Sequence, residues 1–291
     1  GLMTHKHDLY GTGFAGGKIV ARATEPTEVK DELISVTADL LQSLGGAMIT
    51  GCDLNTSLED MERLTALTPH VLAAVGSPVD ASAATAHGTL GALEAVLEAD
   101  LSDASPGRAL VHGCGAVGGT VARTLVNHGW TVFTVDLSRD RAAIPGATPL
   151  PGSCPWWELK LDLLLPCSIS GLINAEMAEA LQTSAVVPAA NAPFQTPQLA
   201  DGLRRRGIRV LPDPLVNAGA VIADSIERFS PEAWRDAGAE DVYAFVRREV
   251  RQRAINYLSQ REQGLSVGAA LVEVAAEPSR DPIGLSFGDS E

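Results

Sequence analysis

Arg108-Ala109-Leu110-Val111-His112-Gly113-Cys114-Gly115-Ala116-Val117-Gly118 is the stretch that decides the fold. Its apolar run reads as a buried strand, and Gly113, Gly115 and Gly118 give the spacing G-x-G-x-x-G. The first glycine makes a tight turn, the second lets a pyrophosphate approach the backbone, and the third lets helix and strand pack closely. The helix predicted over residues 116–128 offers the N–H groups of its first turn (Ala116, Val117, Gly118) and its positive dipole end to phosphates. A second strand over 131–135 ends in Asp136, about 20 residues past the glycines, where a carboxylate meets a ribose 2′-hydroxyl. Strand, glycine turn, helix, second strand and acid fall in order, which points to dinucleotide binding. Asp136 favours NAD over NADP, whose 2′-phosphate meets its charge, while Arg139 offsets that preference.

Working outward, strands alternate with helices. Strands are expected at 163–165, 185–187 and 209–211, and helices at 174–181, 196–206 and from about Val216. Such alternation predicts an α/β protein with a Rossmann-type doubly wound parallel sheet, its ligands outside the carboxyl ends of the strands. Ahead of it, strands are expected at 18–23 and 47–50. Leu33, Val36, Leu40, Leu41 and Leu44 follow a helical period that Gly45-Gly46 ends. Ser57, with Asp60 three residues on, caps a short helix. A long helix over 82–99 links this second, incomplete α/β substrate domain (1–84) to the dinucleotide-binding domain (85–264). A charged helix is expected at 241–263 and an apolar one at 265–276, and residues 265–285 rejoin the first domain. The tail from Pro278 reads as frayed.

The chain has 291 residues, 45% of them apolar, 20% charged, with a formal net charge of −14. That size allows two cores. The acidity argues against nucleic-acid or anionic-membrane partners. Arg204-Arg205-Arg206 is the one compact basic run and reads as a solvated helix end. Cys52, Cys114, Cys154 and Cys167 form no C-x-x-C pair, and the histidines show no ligand spacing, so no metal or disulfide is assigned and the thiols suit a cytoplasmic setting. No apolar run reaches the ~18 residues of a membrane span.

Lys6, Lys18 and Asp53 are the polar residues that stand out before the fingerprint. Gly16-Gly17-Lys18 is not a phosphate loop, since Thr12 stands where that motif needs glycine and Ile19 where it needs a hydroxyl. Lys18 begins a predicted strand, at a sheet edge facing a cleft.

These residues resemble the glutamate/leucine/phenylalanine/valine dehydrogenase superfamily, and most of all its leucine/valine/phenylalanine branch. Met3-Thr4-His5-Lys6 is similar to Met-Thr-Tyr-Lys, Gly16-Gly17-Lys18 to Gly-Gly-Gly-Lys, and Thr50-Gly51-Cys52-Asp53 to Thr-Ala-Glu-Asp. The segments 82–88, 166–174, 190–191 and 212–219 resemble four further family motifs, in order.

The resemblance implies NAD-dependent oxidative deamination of an L-amino acid to a 2-oxo acid and ammonia. It places Lys18 and Asp53 as catalytic residues and Lys6, Gly16, Gly17 and Gly51 at the substrate. Thr85, Cys167, Asn191 and Asn217 fall beside the nicotinamide. Lys18 activates water once Lys6 and desolvation in a closed cleft lower its pKa. The resemblance implies a branched-chain or aromatic substrate; Gly51 points to a bulkier, aromatic side chain, or serves only a turn.

The resemblance also implies further residues upstream of Gly1 that complete the pocket, and a homo-oligomer for the full-length chain. Three departures motivate an alternative, a remodelled or regulatory relative that binds nucleotide without turnover. His7-Asp8-Leu9-Tyr10 replaces small residues and is expected to crowd the carboxylate side. Ala15 and Ala220 replace glycines where close approach or an unusual φ is expected.

Overall fold

The computed structural model describes residues 1–22, 29–53, 55–100 and 106–275. The end of the strand expected at 18–23, the end of the helix expected at 265–276 and the tail from Pro278 lie outside the described residues. The first part of the chain carries α1 (Leu2–Tyr10), α2 (Lys30–Ser43), α3 (Leu58–Thr65) and α4 (Ala81–Asp100). Six strands follow: β1 (Arg108–His112), β2 (Thr131–Val135), β3 (Thr148–Pro149), β4 (Leu163–Pro166), β5 (Ala185–Val186) and β6 (Arg209–Val210). Between them run α5 (Ala116–Asn127), α6 (Arg139–Ala142), α7 (Ala175–Ala180) and α8 (Pro197–Arg205). Beyond the sheet come α9 (Asp213–Val216), α10 (Gly219–Phe229), α11 (Pro231–Asp236), α12 (Ala239–Glu262) and α13 (Val267–Val274).

The strands form one parallel sheet in the order β3-β2-β1-β4-β5-β6. The order reverses between β1 and β4, so the switch point opens at the carboxyl end of β1, beside the glycine turn. Alternate residues feed two cores. Ala109, Val111, Leu163 and Leu165 pack on one face, and Leu110, Leu164, Val186 and Val210 on the other. Burial on both faces explains why these strands read as continuous apolar runs.

Helix ends follow local chemistry. Ser57 and Asp60 form a capping box on α3, Asn174 accepts from Met177 N–H at 2.8 Å, and Ser266 accepts from Ala269 N–H at 3.2 Å. Gly45 and Gly46, at φ 57° and 88°, end the turn after α2. The helix expected from Val216 is two helices, because Asn217 and Ala218 leave helical register between α9 and α10. Among the described residues, no helix is long and apolar enough to cross a membrane.

The front of the chain departs furthest from the sequence reading. Residues 18–22 form no strand or bridge among the described residues, and the strand expected at 47–50 reduces to one parallel bridge, Thr50 to Val71. A strand needs a neighbour to take its hydrogen bonds, and among the described residues none lies alongside. The buried side of α2 is Ile34, Ala38 and Leu41, packed on Met61 and Leu64 of α3. Val36, Leu40 and Leu44, expected inside, are exposed. The helix and its period were legible, but several apolar stripes compete around it, and contact with α3 selects one.

The basic run ends α8 as expected, with Arg205 and Arg206 exposed, and it also makes contacts: Arg204 donates to the Val210 carbonyl, and Arg206 to the Ala178 and Leu181 carbonyls at 2.6 Å each. α1 packs against α9, α10 and α13, and Leu9 and Tyr10 share the main core. His7 is also buried, its Nδ1 2.6 Å from Thr12 Oγ1. These three side chains face the interior, as Lys6 does.

Candidate active site

The glycine turn is shaped by contacts that exclude side chains. Gly113 has φ 91°, and a Cβ there would lie 2.6 Å from Ser168 Cβ. A Cβ on Gly118 would strike the Gly113 carbonyl and approach Cys167 Cβ to 2.9 Å. Gly115 differs: nothing lies within 4 Å of an added Cβ, so its openness faces the space a ligand takes. The N–H groups of Ala116, Val117 and Gly118 begin α5, where first-turn donors lack intrahelical acceptors.

Asp136 closes the turn from beneath. One of its oxygens accepts from Cys114 N–H at 2.8 Å, and the other from Ser138 N–H at 2.8 Å and Arg141 Nε at 3.1 Å. Burial works against its charge, but these hydrogen bonds prevail and hold the carboxyl below its ordinary pKa. The basic partner is Arg141; Arg139, singled out in the sequence, is exposed and makes no such contact. One helical turn in α6 decides which arginine reaches back, and sequence distance from Asp136 could not.

A second group gathers at the carboxyl ends of β5 and β6. Asn217 Nδ2 donates to the Ala189 carbonyl at 3.0 Å and to Asn191 Oδ1 at 2.9 Å. Its own Oδ1 is buried without a hydrogen-bond partner among the described residues. An orphaned acceptor beside a dinucleotide turn fits a ligand that brings an N–H donor, as a carboxamide does. Thr85 lies on α4, where Gly219 packs against the Ala84–Thr85 backbone. Cys167 donates its backbone N–H to the His112 carbonyl at 2.7 Å, and burial pushes its thiol pKa up to about 12, leaving a neutral wall beside the turn.

The lysines and the acid converge. Lys18 Nζ lies 2.5 Å from Asp53 Oδ2, and both side chains are about half exposed, at 54% and 51%. Lys6 is buried, and its Nζ donates to the Asn217 carbonyl at 3.3 Å. Burial lowers the Lys6 pKa to about 8; Asp213 opposes that shift, Lys18 adds to it, and Asp53 opposes it again. Lys6 therefore lies within electrostatic reach of the other two heads. The buried ammonium is that of Lys6, while the Lys18 side chain is half exposed. Asp213 is a residue that reading passed over. It accepts from Ala192 N–H at 3.0 Å and sets a counter-charge near Lys6.

The substrate-side glycines serve the backbone. A Cβ on Gly16 would fall 2.5 Å from Thr4 N, so the loop before Lys18 lies directly on α1. A Cβ on Gly51 would strike the Leu72 carbonyl, which gives that glycine a packing cause independent of any substrate. Gly17 has only Met48 Cε nearby, at 3.4 Å. Ala15 and Ala220 are absent from the positive-φ residues, so the unusual φ expected at these two positions is not there.

Residues 139–276 match the family described as Glutamate/Leucine/Phenylalanine/Valine dehydrogenase. The chain is 29% identical over 236 residues to a phenylalanine dehydrogenase of Bacillus thermotolerans, covering 76% of this chain and 61% of that protein. It is 28% identical over 240 residues to a leucine dehydrogenase of Thermoactinomyces intermedius, covering 79% and 66% respectively. It thus spans three-fifths to two-thirds of the length of these relatives. The crystal structure of L-tryptophan dehydrogenase from Nostoc punctiforme superposes with a TM-score of 0.74 at 24% identity, covering 94% of this chain and 78% of that one. The sheet has the 3-2-1-4-5-6 order, and residues 139–276 are similar to the glutamate/leucine/phenylalanine/valine dehydrogenase family.

Proposed function

We propose that the protein is an NAD-dependent L-amino acid dehydrogenase, converting an L-amino acid, NAD and water into a 2-oxo acid, ammonium, NADH and a proton. The observation that carries this reading is the Lys18–Asp53 pair within reach of the buried Lys6, whose own hydrogen bond ends on Asn217. Residues 1–84 serve as the substrate side and residues 85–264 as the nucleotide side, with α13 returning to α1.

Each role follows from chemistry. Lys6 holds the substrate α-carboxylate, because a poorly hydrated ammonium gains most from a charged acceptor. Lys18, as the neutral amine, takes a proton from the water that attacks the imine carbon, and Asp53 passes a proton to the departing amine. When bound, the nicotinamide supplies the acceptor for the hydride that leaves Cα. Gly113, Gly115 and the first turn of α5 hold the pyrophosphate, Asp136 the ribose, and Thr85, Asn191 and Asn217 the carboxamide end. The Asp136 charge disfavours a 2′-phosphate, which is the basis for NAD. Fully exposed Leu137 offers the adenine an apolar face.

Nicotinamide absorbance with a panel of L-amino acids tests the reading, beginning with the leucine, phenylalanine and tryptophan named in the relatives. Reduction of NAD faster than NADP is the expected result. No reduction with any amino acid, from a protein that still binds nucleotide, rejects it.

A further inference from the structure

Asp224 has a setting that the fold does not explain. On α10, residues 219, 221–223, 225 and 226 are buried, whereas Ala220, Asp224 and Glu227 keep accessible surface. Their i, i+4, i+7 spacing puts them on one face. The opposite side is fixed to the core, where Ser225 Oγ donates to the Thr12 carbonyl at 2.8 Å.

What lies across from that face is the segment that carries Asp53. Glu227 accepts from Ala74 N–H at 3.1 Å, which ties the stretch after Leu72 to α10. Leu72 N–H in turn donates to the Thr50 carbonyl at 2.8 Å, and Gly51 lies against the Leu72 carbonyl. Burial raises the thiol pKa of Cys52, between Gly51 and Asp53; a Thr56 hydrogen bond opposes it, and the charges of Asp60, Asp224 and Asp80 add to it. The face of α10 that carries Asp224 is therefore tied, through Ala74 and Leu72, to the segment that carries Asp53.

The Asp224 side chain is partly buried and has no hydrogen-bond donor and no ion-pair partner among the described residues. The charge that bears on it is that of Glu227, of the same sign, and burial and that neighbour together raise its pKa to about 7. An unpaired acid in such a place costs stability that an apolar wall avoids. A cation supplied by a ligand removes that cost, and a leucine or phenylalanine side chain does not.

We infer that Asp224 seats the cationic end of a basic substrate side chain, an amine or guanidinium borne by the L-amino acid. This rests on the deaminating activity proposed for Lys18 and Asp53, and it departs from the branched-chain or aromatic class expected from the sequence. The source of the specificity is one helical face: Asp224 meets the charge, and Glu227 adds to the negative field around it.

Matched substrate pairs on the full chain test it. L-lysine against L-norleucine, and L-ornithine against L-norvaline, differ only in the terminal amine. The basic member of each pair should show kcat/KM higher by about ten- to a hundredfold. Asp224→Asn should bring each ratio towards one, and Asp224→Val should invert it. A wild-type preference for norleucine and norvaline overturns the assignment while leaving the deaminating activity standing, as does a ratio unchanged in both variants. No turnover of any amino acid, with nucleotide still bound, removes the activity and this inference together.

Discussion

Lys6 Nζ donates to the main-chain carbonyl of Asn217 at 3.3 Å, across 211 positions of sequence. The bond joins the first helix to the turn between α9 and α10, the same turn whose side-chain amide carries an unpaired oxygen. Substrate-side and nucleotide-side groups thereby share one residue, so displacement of either end is felt at the other.

The pH dependence of substrate binding follows from Lys6. Burial holds its pKa at about 8, against 10.5 in the unfolded chain. As pH rises through about 8 the ammonium is lost, so KM for the amino acid should climb while nucleotide affinity holds. Lys6→Met should raise KM by about ten- to a hundredfold at neutral pH and flatten that rise. Stability has its own sign. Between about pH 8 and 10.5 the unfolded chain binds the extra proton, so wild-type stability gains on Lys6→Met as pH increases. Urea midpoints of both proteins across that window check it.

Replacing either member of the Lys18–Asp53 pair should remove turnover and leave the fold. Both side chains are about half exposed, so the ion pair itself contributes little to stability. Lys18→Ala and Asp53→Asn should each lower kcat by about 10²–10⁴-fold, the usual worth of a positioned proton-transfer group. The melting temperature and nucleotide affinity should stay near wild type. A kcat within a few-fold of wild type in both variants removes these residues from the chemistry.

Two glycines of the turn should separate binding from folding. Nothing surrounds a Cβ on Gly115, so Gly115→Ala should keep wild-type stability yet lose most nucleotide affinity, because the methyl occupies ligand space. Gly118→Ala drives a Cβ into the Gly113 carbonyl and should destabilise the fold by about 1–3 kcal/mol besides weakening nucleotide binding. Thermal melts paired with calorimetric titration of NAD distinguish the two. Equal stability losses at both positions contradict the geometry.

The Rossmann half was legible because its signals are local. Glycine spacing, a two-sided apolar strand and a helix period each lie within a dozen residues, and β2 runs over the residues expected, Thr131–Val135. The front of the chain was less legible. Residues 18–22 have strand composition, but pairing is a property of neighbours, and α2 has more apolar positions than α3 can cover. Asp224 was invisible for a related reason: a lone acid in the apolar stretch of a helix reads as a solvent-facing position until the opposite wall is known.

The sequence by itself determined the parallel sheet, the glycine turn and the residue types available for proton transfer, since these depend on spacing along the chain. Only the tertiary structure decided which lysine loses its water, which arginine meets Asp136 and which acid is left without a partner. Desolvation and pairing depend on what folds back from distant positions, and no interval between letters encodes that.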